Sequence, residues 1–459
     1  MNNGPMTTMI PKVVRAALLA GILAAAAVAV TSAPCSAELG IPSRPLTLEE
    51  CTAIALSRNP QITSSQQGVV GARAGLTRTR SSYYPQLSLS AVEGLTSRTS
   101  FLSLGGGTFA FGGTDTREDL DLVVRQTLWR RGRKESVEES KTSLRAAELD
   151  HASTIQGLVE QVARDYYAVL AAGELVAVAE AGVESARSHR EQVKARVALG
   201  ATADVEVFPA EDDLARAELD LIDARSNVRL ALARLKNSMG IRPQIDLELA
   251  PAPLPEEEGI PTLDRAVREA IESRPEVLAA RASVRGSGSA LKQAQIRRGP
   301  VADVIGQYTQ GYTDWEARDS AWSLLLNVSW PLFDGYATKA DETAARASLQ
   351  RAEADLQRTA NQVALEVENA LVEVEGTWER VEASAKSVAA AEARLAAAEG
   401  KYRQGVGILL EVIDARVAVT DARASRVRAQ YDYQIALVGL KRALGTLPAG
   451  KATTGQSRD

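Results

Sequence analysis

The chain has few of the residue types that carry most enzyme chemistry. Its 459 residues include two histidines, two cysteines and four methionines, and aromatic residues make up 4%. His151 and His189 are flanked by charged or small polar residues, and neither has a second ligand at metal-binding spacing. The Gly-x-Ser-x-Gly nucleophile motif is also missing from the sequence. We therefore expect no catalytic residue, no metal site and no cofactor.

Small and helix-forming residues take the place of the missing types. Alanine, leucine, valine, glutamate and arginine dominate, which favours long helices packed through small side chains over one deep core. Acidic and basic residues are interspersed, and the formal net charge is only -5. A basic binding surface is not indicated, so we expect no nucleic-acid partner.

The first 37 residues have the pattern of an export signal. Lys12 and Arg15 precede an apolar run at 16–30, and small residues at 35–37 offer a cleavage site. Pro34 before Cys35 fits the lipoprotein consensus poorly, and removal of the signal leaves one cysteine with no disulfide partner. Beyond the signal, 18 uninterrupted apolar residues do not occur, so the sequence predicts no transmembrane helix in the mature chain.

The chain repeats itself once. Thr47-Leu48 and Asn59-Pro60 return as Thr262-Leu263 and Arg274-Pro275 at an offset of 215 residues. Gly200, Glu206, Val207 and Gly240 return as Gly405, Glu411, Val412 and Gly445 at an offset of 205 residues. Solenoid repeats are about 20–50 residues long, so this much longer unit indicates a duplicated half-molecule.

Hydrophobic periodicity predicts the same order of elements in both copies: helix, strand, strand, long helix, helix. The first repeat, 38–240, has a helix at 47–82, strands at 86–95 and 119–129, a long helix at 136–199 and a helix at 204–239. The second repeat, 262–446, has a helix at 262–297, strands at 301–312 and 321–333, a long helix at 338–404 and a helix at 409–445. A Pro- and Glu-rich linker at 241–261 joins the copies, and 447–459 reads as a disordered tail.

The predicted strands alternate between apolar and polar residues. Leu324, Leu326 and Val328 lie on one face of the last strand, and Ser323 and Asn327 lie on the other. A tilted strand of about ten residues matches the thickness of a bilayer, with the apolar row facing lipid. A soluble four-stranded sheet covered by helix has the same alternation. In a membrane, open sheet edges are not tolerated, so copies of the chain would have to close the sheet together.

Each long helix carries a coiled-coil seam. The apolar residues recur at spacings of three and four at Ile155, Leu158, Val162, Tyr166 and Val169, and again at Val363, Val367, Ala370, Val374, Trp378 and Val381. The two shorter helices of a copy, placed end to end, match the long helix in length. We expect them to form a second strut beside it, with a turn at Gly200 in one copy and at Gly405 in the other.

Together these stretches resemble the TolC-like outer membrane factors over nearly all of the mature chain. The most specific segments are Tyr402-Arg403-Gln404-Gly405, Leu410-Glu411-Val412-Ile413-Asp414-Ala415, Trp330-Pro331-Leu332-Phe333-Asp334-Gly335 and Leu440-Lys441-Arg442-Ala443-Leu444-Gly445. The resemblance implies a homotrimer with a shared 12-stranded transmembrane β-barrel in the Gram-negative outer membrane and an α-helical tunnel across the periplasm. It also implies a passive exit duct of a tripartite efflux or type I secretion system, working with a periplasmic adaptor protein and an inner-membrane pump.

The resemblance also suggests residue roles. Glu411 and Asp414 fall on positions that narrow the periplasmic entrance, although two such residues also suit a solvated helix face. Tyr402 matches a tyrosine that latches the tip, whereas Gly407 replaces the basic residue expected there. The candidate adaptor contacts are the turn residues Gly200, Ala201, Thr202, Gly405, Val406 and Gly407. The candidate membrane-interface aromatics, against outer membrane lipid, are Trp129, Trp322, Trp330 and Phe333.

Two other protein classes share some of these features. A soluble periplasmic coiled-coil adaptor or scaffold would explain the helices and the export signal but would give the apolar-faced strands no role. A surface adhesin stalk would explain the long helices, but such stalks end in a head, which the sequence does not indicate.

Overall fold

A computed structural model of the chain describes residues 44–104, 107–200, 203–253, 256–257, 259–313 and 316–448. The predicted export signal and residues 449–459 of the predicted tail lie outside the described residues. The first copy contains α1 (Leu48–Arg58), α2 (Pro60–Ser81), β1 (Gln86–Leu104), β2 (Gly107–Arg130), α3 (Arg133–Ala198), a 3-10 turn (Asp204–Glu206) and α4 (Val207–Ser238). The second contains α5 (Leu263–Ser273), α6 (Pro275–Ile296), β3 (Val301–Thr313), β4 (Glu316–Ser329), α7 (Ala337–Arg403) and α8 (Leu409–Ala443).

The chain divides into two compact units. The sheet unit contains Arg80–Arg133 and Ile296–Asp334, and therefore all four strands. The helical unit contains Pro42–Thr79, Lys134–Gln295 and the chain from Gly335 onward. Each unit thus draws on both copies of the duplicated sequence.

The sheet is antiparallel in the order β1-β2-β3-β4. Directly paired residues share a face, so the register places the alternating residues of neighbouring strands side by side. One face carries an apolar surface, made of Leu87, Leu89, Leu122, Val124, Tyr308, Trp322, Leu324, Leu326 and Val328, all of them exposed. The outer strands β1 and β4 each pair with one neighbour within the described chain.

The opposite face of the sheet carries most of the polar side chains, together with a few apolar ones such as Leu325, and side-chain hydrogen bonds join its strands. Asp121 accepts hydrogen bonds from Thr309 Oγ1 at 2.5 Å and from Gln307 Nε2 at 3.2 Å. Asp303 accepts one from Thr127 Oγ1 at 2.7 Å. The alternation of apolar and polar residues read from the sequence therefore separates the two faces of this sheet.

The first hairpin is longer than the strands at 86–95 and 119–129 that the sequence predicts. Pairing continues from Gln86↔Arg125 to Leu104↔Gly107. Antiparallel pairing uses backbone groups, so strands can extend through a serine-, threonine- and glycine-rich stretch that lacks apolar alternation.

Two breaks divide helices that the sequence predicts as continuous at 47–82 and 262–297. Asn59 and Arg274 have extended ψ angles of 124° and 129°, and each precedes a proline. Proline disfavours the helical conformation in the residue before it, which ends α1 and α5. The Asn59 side chain then accepts a hydrogen bond from the amide of Gln61, in the first turn of α2.

The ends of α4 and α8 pack onto these two breaks. Gly240, after α4, has a φ of 67°, and an added Cβ would lie 2.9 Å from the Arg58 carbonyl oxygen. Asn59 Nδ2 donates to the Ser238 carbonyl at 2.8 Å and joins the two ends. In the second copy, Gly445 has a φ of 71° and packs in the same way against Ser273, whose hydroxyl donates to Leu444 O at 2.7 Å.

These junctions place short helices end to end beside a long one, the arrangement expected from the sequence. In the first copy, α1, α2 and α4 have 11, 22 and 32 residues, together nearly the 66 residues of α3. At 1.5 Å per residue, α3 is roughly 100 Å long.

The predicted coiled-coil seams are buried in the helical unit. All five residues of the first seam are buried, with Val162 fully enclosed. In the second copy Val363, Val367 and Val374 are buried, and Trp378 packs 5.0 Å from Tyr433 between ring centroids. The three-four spacing therefore identified the contact faces of α3 and α7 correctly.

By length and composition alone, one stretch of α3 is long and apolar enough to cross a membrane. Its charged side chains have partners on other helices: Glu174 accepts a hydrogen bond from Tyr431 at 2.7 Å, and Glu180 pairs with Arg225 at 2.9 Å. Such contacts suit a helix packed against other helices better than one surrounded by lipid.

We expect Gly240→Ala to destabilise the helical unit by about 1–3 kcal/mol, because a Cβ there is strained by the positive φ and collides with the α1–α2 break. Gly173→Ala is the matched control, since an added Cβ at this position in α3 meets no atom within 4 Å. It should leave stability unchanged or raise it by up to about 1 kcal/mol. Thermal unfolding followed by circular dichroism at 222 nm measures both, and equal midpoints for the two variants would contradict the role of the junction.

Candidate functional site

The helical unit has two turns that each connect a long helix to the shorter helix after it: one joins α3 to α4, and the other joins α7 to α8. Gly200 ends α3 with a φ of 66°, and Gly405 follows α7 with a φ of 77°. An added Cβ would meet open space at both positions, so the left-handed backbone itself is what requires glycine. The predicted helix-ending role of both glycines agrees with this geometry.

Gly407 is needed for a different reason. An added Cβ would lie 2.9 Å from Lys401 Cβ and 2.9 Å from the Tyr402 backbone nitrogen. The chain after Gly405 thus folds tightly back on the end of α7, in the place where the resemblance leads one to expect a basic side chain.

Apolar side chains project from both turns. Leu199 and Val205 are 83% and 66% exposed beside the first turn, and Val406 and Ile408 are 77% and 61% exposed at the second. Ala201 and Thr202, the other candidate contact residues, lie outside the described residues.

Tyr402 connects the two turns. Its side chain is buried, and its hydroxyl donates to Glu206 Oε2 at 3.1 Å. The Arg196 guanidinium lies over the ring, 4.5 Å from the centroid, and donates to the Tyr402 carbonyl at 3.1 Å. Burial, with the neighbouring Glu206 carboxylate, raises the pKa of Tyr402. The phenol therefore stays protonated and keeps its donor.

His189 packs beside Tyr402, with the two ring centroids 6.0 Å apart. The side chain is 2% exposed, and Nε2 has no hydrogen-bond partner among the described residues. Burial and the neighbouring Arg416 lower the pKa of His189 to about 4, so its ring is neutral near pH 7. His189 has charged and small polar neighbours in the sequence, so the sequence gives no sign that its side chain is enclosed.

Arg416 is the buried cation of this region. Its Nη1 donates to the Ser185 carbonyl of α3 at 2.5 Å, and its Nη2 lies 3.6 Å from Glu399 of α7. Desolvation lowers the pKa of Arg416, but the Glu399 and Asp213 carboxylates favour its charged form. Arg416 thus joins α8 to both long helices close to the turns.

Glu411 and Asp414 lie in the first two turns of α8, on the side away from its core. Val412 and Ala415, between and after them, are buried at 1% and 0% exposure, whereas both carboxylates are exposed. Neither carboxylate makes an ion pair or hydrogen bond with the rest of the described chain. A spacing of three places them on one helix face, where their negative charges add.

The four candidate interface aromatics all lie in the sheet unit and are exposed. Trp129, Trp322, Trp330 and Phe333 are 48%, 79%, 62% and 75% exposed. Trp322 belongs to the apolar surface of the sheet, and Trp330 and Phe333 follow the end of β4. Within the described ranges, no three His, Cys, Asp or Glu side chains lie close enough to hold a metal ion.

Comparison with known proteins identifies the family. The sequence profile of the outer membrane efflux protein family matches residues 53–241 and 266–446. Protein CyaE of Bordetella pertussis is 25% identical over 314 residues, which are 66% of this chain. The alignment spans 64% of CyaE, a little under two thirds of its length.

Solved structures show the same fold. The CmeC outer membrane channel of Campylobacter jejuni aligns with a TM-score of 0.74 at 18% identity, over 87% of this chain and 85% of CmeC. The open state of the MtrE outer membrane channel of Neisseria gonorrhoeae aligns with a TM-score of 0.72 at 20% identity, over 87% of this chain and 88% of MtrE. These likenesses confirm the fold class expected from the sequence. Because the family profile covers both copies and most of the chain, the protein belongs to the outer membrane efflux protein family.

Proposed function

We propose that three copies of this chain form the passive exit duct of a tripartite efflux or type I secretion system, gated at the helical turns. As a member of its family, the chain is an outer membrane protein. The sheet unit would lie in the membrane, and the helical unit would form the periplasmic tunnel. Transport energy would come from an inner-membrane pump, reached through a periplasmic adaptor protein.

The sheet is the observation that carries this proposal. It has one continuous exposed apolar face, a hydrogen-bonded polar face, and outer strands that pair on one side within the described chain. An apolar face of this extent suits lipid, and lipid requires that the edges of β1 and β4 be paired. Three sheets of four strands would close on one another and satisfy both requirements. A soluble scaffold would leave this face in water.

The gate proposal rests on Glu411 and Asp414. Threefold symmetry would bring two carboxylates from each copy to one narrow lumen, where low-dielectric walls focus a negative field. Neither carboxylate is neutralised by a partner in the described chain, so the field would act on the passing solute. Such a gate would favour cations and would be blocked by multivalent ones.

The exposed apolar side chains at the turns support a protein contact there. Val406 and Ile408 at the second turn and Leu199 and Val205 at the first are exposed in pairs. The periplasmic adaptor is the partner that we assign to them. Tyr402 and Glu206, which join the two turns inside one chain, would hold the tip closed until that partner binds.

We expect Leu326→Lys to prevent membrane assembly, because it places a charge on the apolar face at a cost of about 2–4 kcal/mol per chain in lipid. Asn327→Lys is the matched control, since Asn327 is exposed on the polar face in the adjacent position. Heat-resistant trimer in outer membrane fractions, seen by electrophoresis before and after boiling, should be lost in the first variant and kept in the second. Equal assembly of both would count against the membrane sheet.

We expect Glu411→Ala with Asp414→Ala to raise single-channel conductance and to weaken block by multivalent cations, because the negative field at the entrance is removed. Glu353→Ala with Glu368→Ala changes the net charge by the same amount on exposed positions of α7, remote in sequence from the turn. Planar-bilayer recordings should show wild-type conductance and block for this control. Wild-type behaviour in the gate variant as well would refute the gate assignment.

We expect Tyr402→Phe to favour the open tip, because it keeps the buried ring but removes the hydrogen bond to Glu206. Loss of a bond to a partly exposed carboxylate should raise the open-to-closed ratio by roughly fivefold. Tyr431→Phe also removes a Tyr-Glu hydrogen bond, to Glu174, but far from the turns in sequence. Single-channel open probability should rise in Tyr402→Phe alone. An equal rise in Tyr431→Phe would assign the effect to a general weakening of helix packing and not to the tip.

A further inference from the structure

One end of the sheet combines arginines with exposed aromatic side chains. At this basal end the chain enters β1 and β3 and leaves β2 and β4. Arg131 follows β2, Arg298 precedes β3, and both are exposed. Trp129 lies two residues before Arg131, Trp330 follows β4, and both tryptophans are exposed. The proposed gate and the apolar face of the sheet leave the two arginines of this group without a role.

A bulge in β2 brings Trp129 to the apolar face. Thr127 pairs with Asp303 on the polar face, and the register then shifts so that Trp129 pairs with Ala302. Ala302 in turn pairs with Val328, which belongs to the apolar surface. Leu128 is the extra residue of the bulge, and without it Trp129 would face the polar side.

Trp330 is hydrogen-bonded to the backbone of Arg298. Its indole Nε1 donates to the Arg298 carbonyl at 3.0 Å, which holds the ring next to the start of β3. The indole is 62% exposed although its one polar atom is satisfied, so it presents mainly apolar surface.

The positive charges of the two arginines are not fully neutralised by nearby carboxylates. Arg131 lies across Gly299, where an added Cβ would be 2.8 Å from Arg131 Cγ, so the glycine makes room for this side chain. Arg131 makes no hydrogen bond or ion pair with another described residue. Arg298 is 55% exposed and lies 3.7 Å from Asp334, longer than a direct charge-assisted hydrogen bond. Arg298 has one carboxylate nearby and Arg131 has no ion pair with a described residue, so the group keeps a net positive charge.

The position within the sheet indicates the kind of ligand. Arg131 and Arg298 lie next to the ends of the central strands β2 and β3, whereas the edges that another copy would use are β1 and β4. A second copy is therefore a poor candidate for the occupant. An amphiphile with an anionic phosphate and apolar tails matches a cationic pair at the border of an apolar face.

We propose that Arg131 and Arg298 bind the phosphate of an anionic glycerophospholipid, with Trp129 and Trp330 flanking its acyl chains. This proposal rests on the proposed function, in which the sheet lies in the membrane and its basal end faces the periplasmic leaflet. The planar guanidinium groups bind phosphate oxygens in pairs, and the indoles occupy the depth of the headgroup. The site selects lipids by headgroup charge, one lipid for each chain.

Native mass spectrometry of the detergent-purified trimer, with added phosphatidylglycerol or phosphatidylcholine of identical acyl chains, tests the site. The wild type should retain phosphatidylglycerol with at least fivefold higher affinity, since each arginine near a membrane surface contributes about this factor. Arg131→Gln with Arg298→Gln should bring the two lipids to equal affinity. Higher ionic strength should reduce the wild-type preference.

Arg130→Gln is the matched control. Arg130 pairs with Val301, which pairs with Ser329, and these positions lie on the opposite face from Trp129. This variant loses one positive charge, as Arg131→Gln alone does, one residue away, and it should keep the wild-type preference. An equal loss of preference in Arg130→Gln would overturn the site in favour of a general charge effect.

Assembly is checked in the same samples by heat-resistant migration. If the double variant does not assemble, the single variant Arg131→Gln takes its place. It should lower the preference for phosphatidylglycerol by about fivefold while the trimer still forms. A wild-type trimer that retains both lipids equally would overturn the lipid site and leave the proposed function standing. A wild-type chain that forms no heat-resistant trimer and retains neither lipid would overturn both.

Discussion

The architecture depends on the contact between a left-handed glycine and a break in another helix. Gly240 and Gly445 end α4 and α8 with positive φ angles and pack against the chain at Arg58 and Ser273. The break exists because a proline follows Asn59 and Arg274, and the missing Cβ lets the two helix ends approach closely. Short helices can therefore stack end to end along α3 and α7. Without these contacts, the long helices would have no continuous partner along their length.

Duplication gives the two turns equivalent residues, and their surroundings give these residues different roles. Glu206 and Glu411 correspond at the offset of 205 residues, yet Glu206 accepts the Tyr402 hydroxyl and Glu411 is exposed without a partner in the described chain. The tyrosine has no counterpart in the first copy, where Val197 occupies its position. The second copy thus supplies both the residue that joins the turns and the carboxylates proposed to face the lumen. A symmetric pair of turns could not divide these tasks.

The sheet and the helices meet different physical demands. In the helical unit, buried alanine and valine allow close packing, and the buried Arg274 pairs with the half-buried Glu276 at 3.2 Å. In the sheet, the apolar residues are exposed on one face and the hydrogen-bonded polar residues lie on the other. An exposed apolar face of this kind is stable in lipid and unstable in water. The family identity and the shared fold with outer membrane channels agree with that reading.

The sequence by itself determined the periodic features, because these depend on residue spacing alone. The helical seams, the alternation of the strands and the glycines at the turns were all readable, since helix and strand periods place side chains on faces regardless of what packs there. Only the tertiary structure decided which helix ends pack onto the breaks at Asn59 and Arg274 and how far β1 and β2 extend. It also decided that His189 and Arg416 are enclosed. These outcomes depend on contacts between residues distant in sequence, where burial and backbone approach are set by the partner segment.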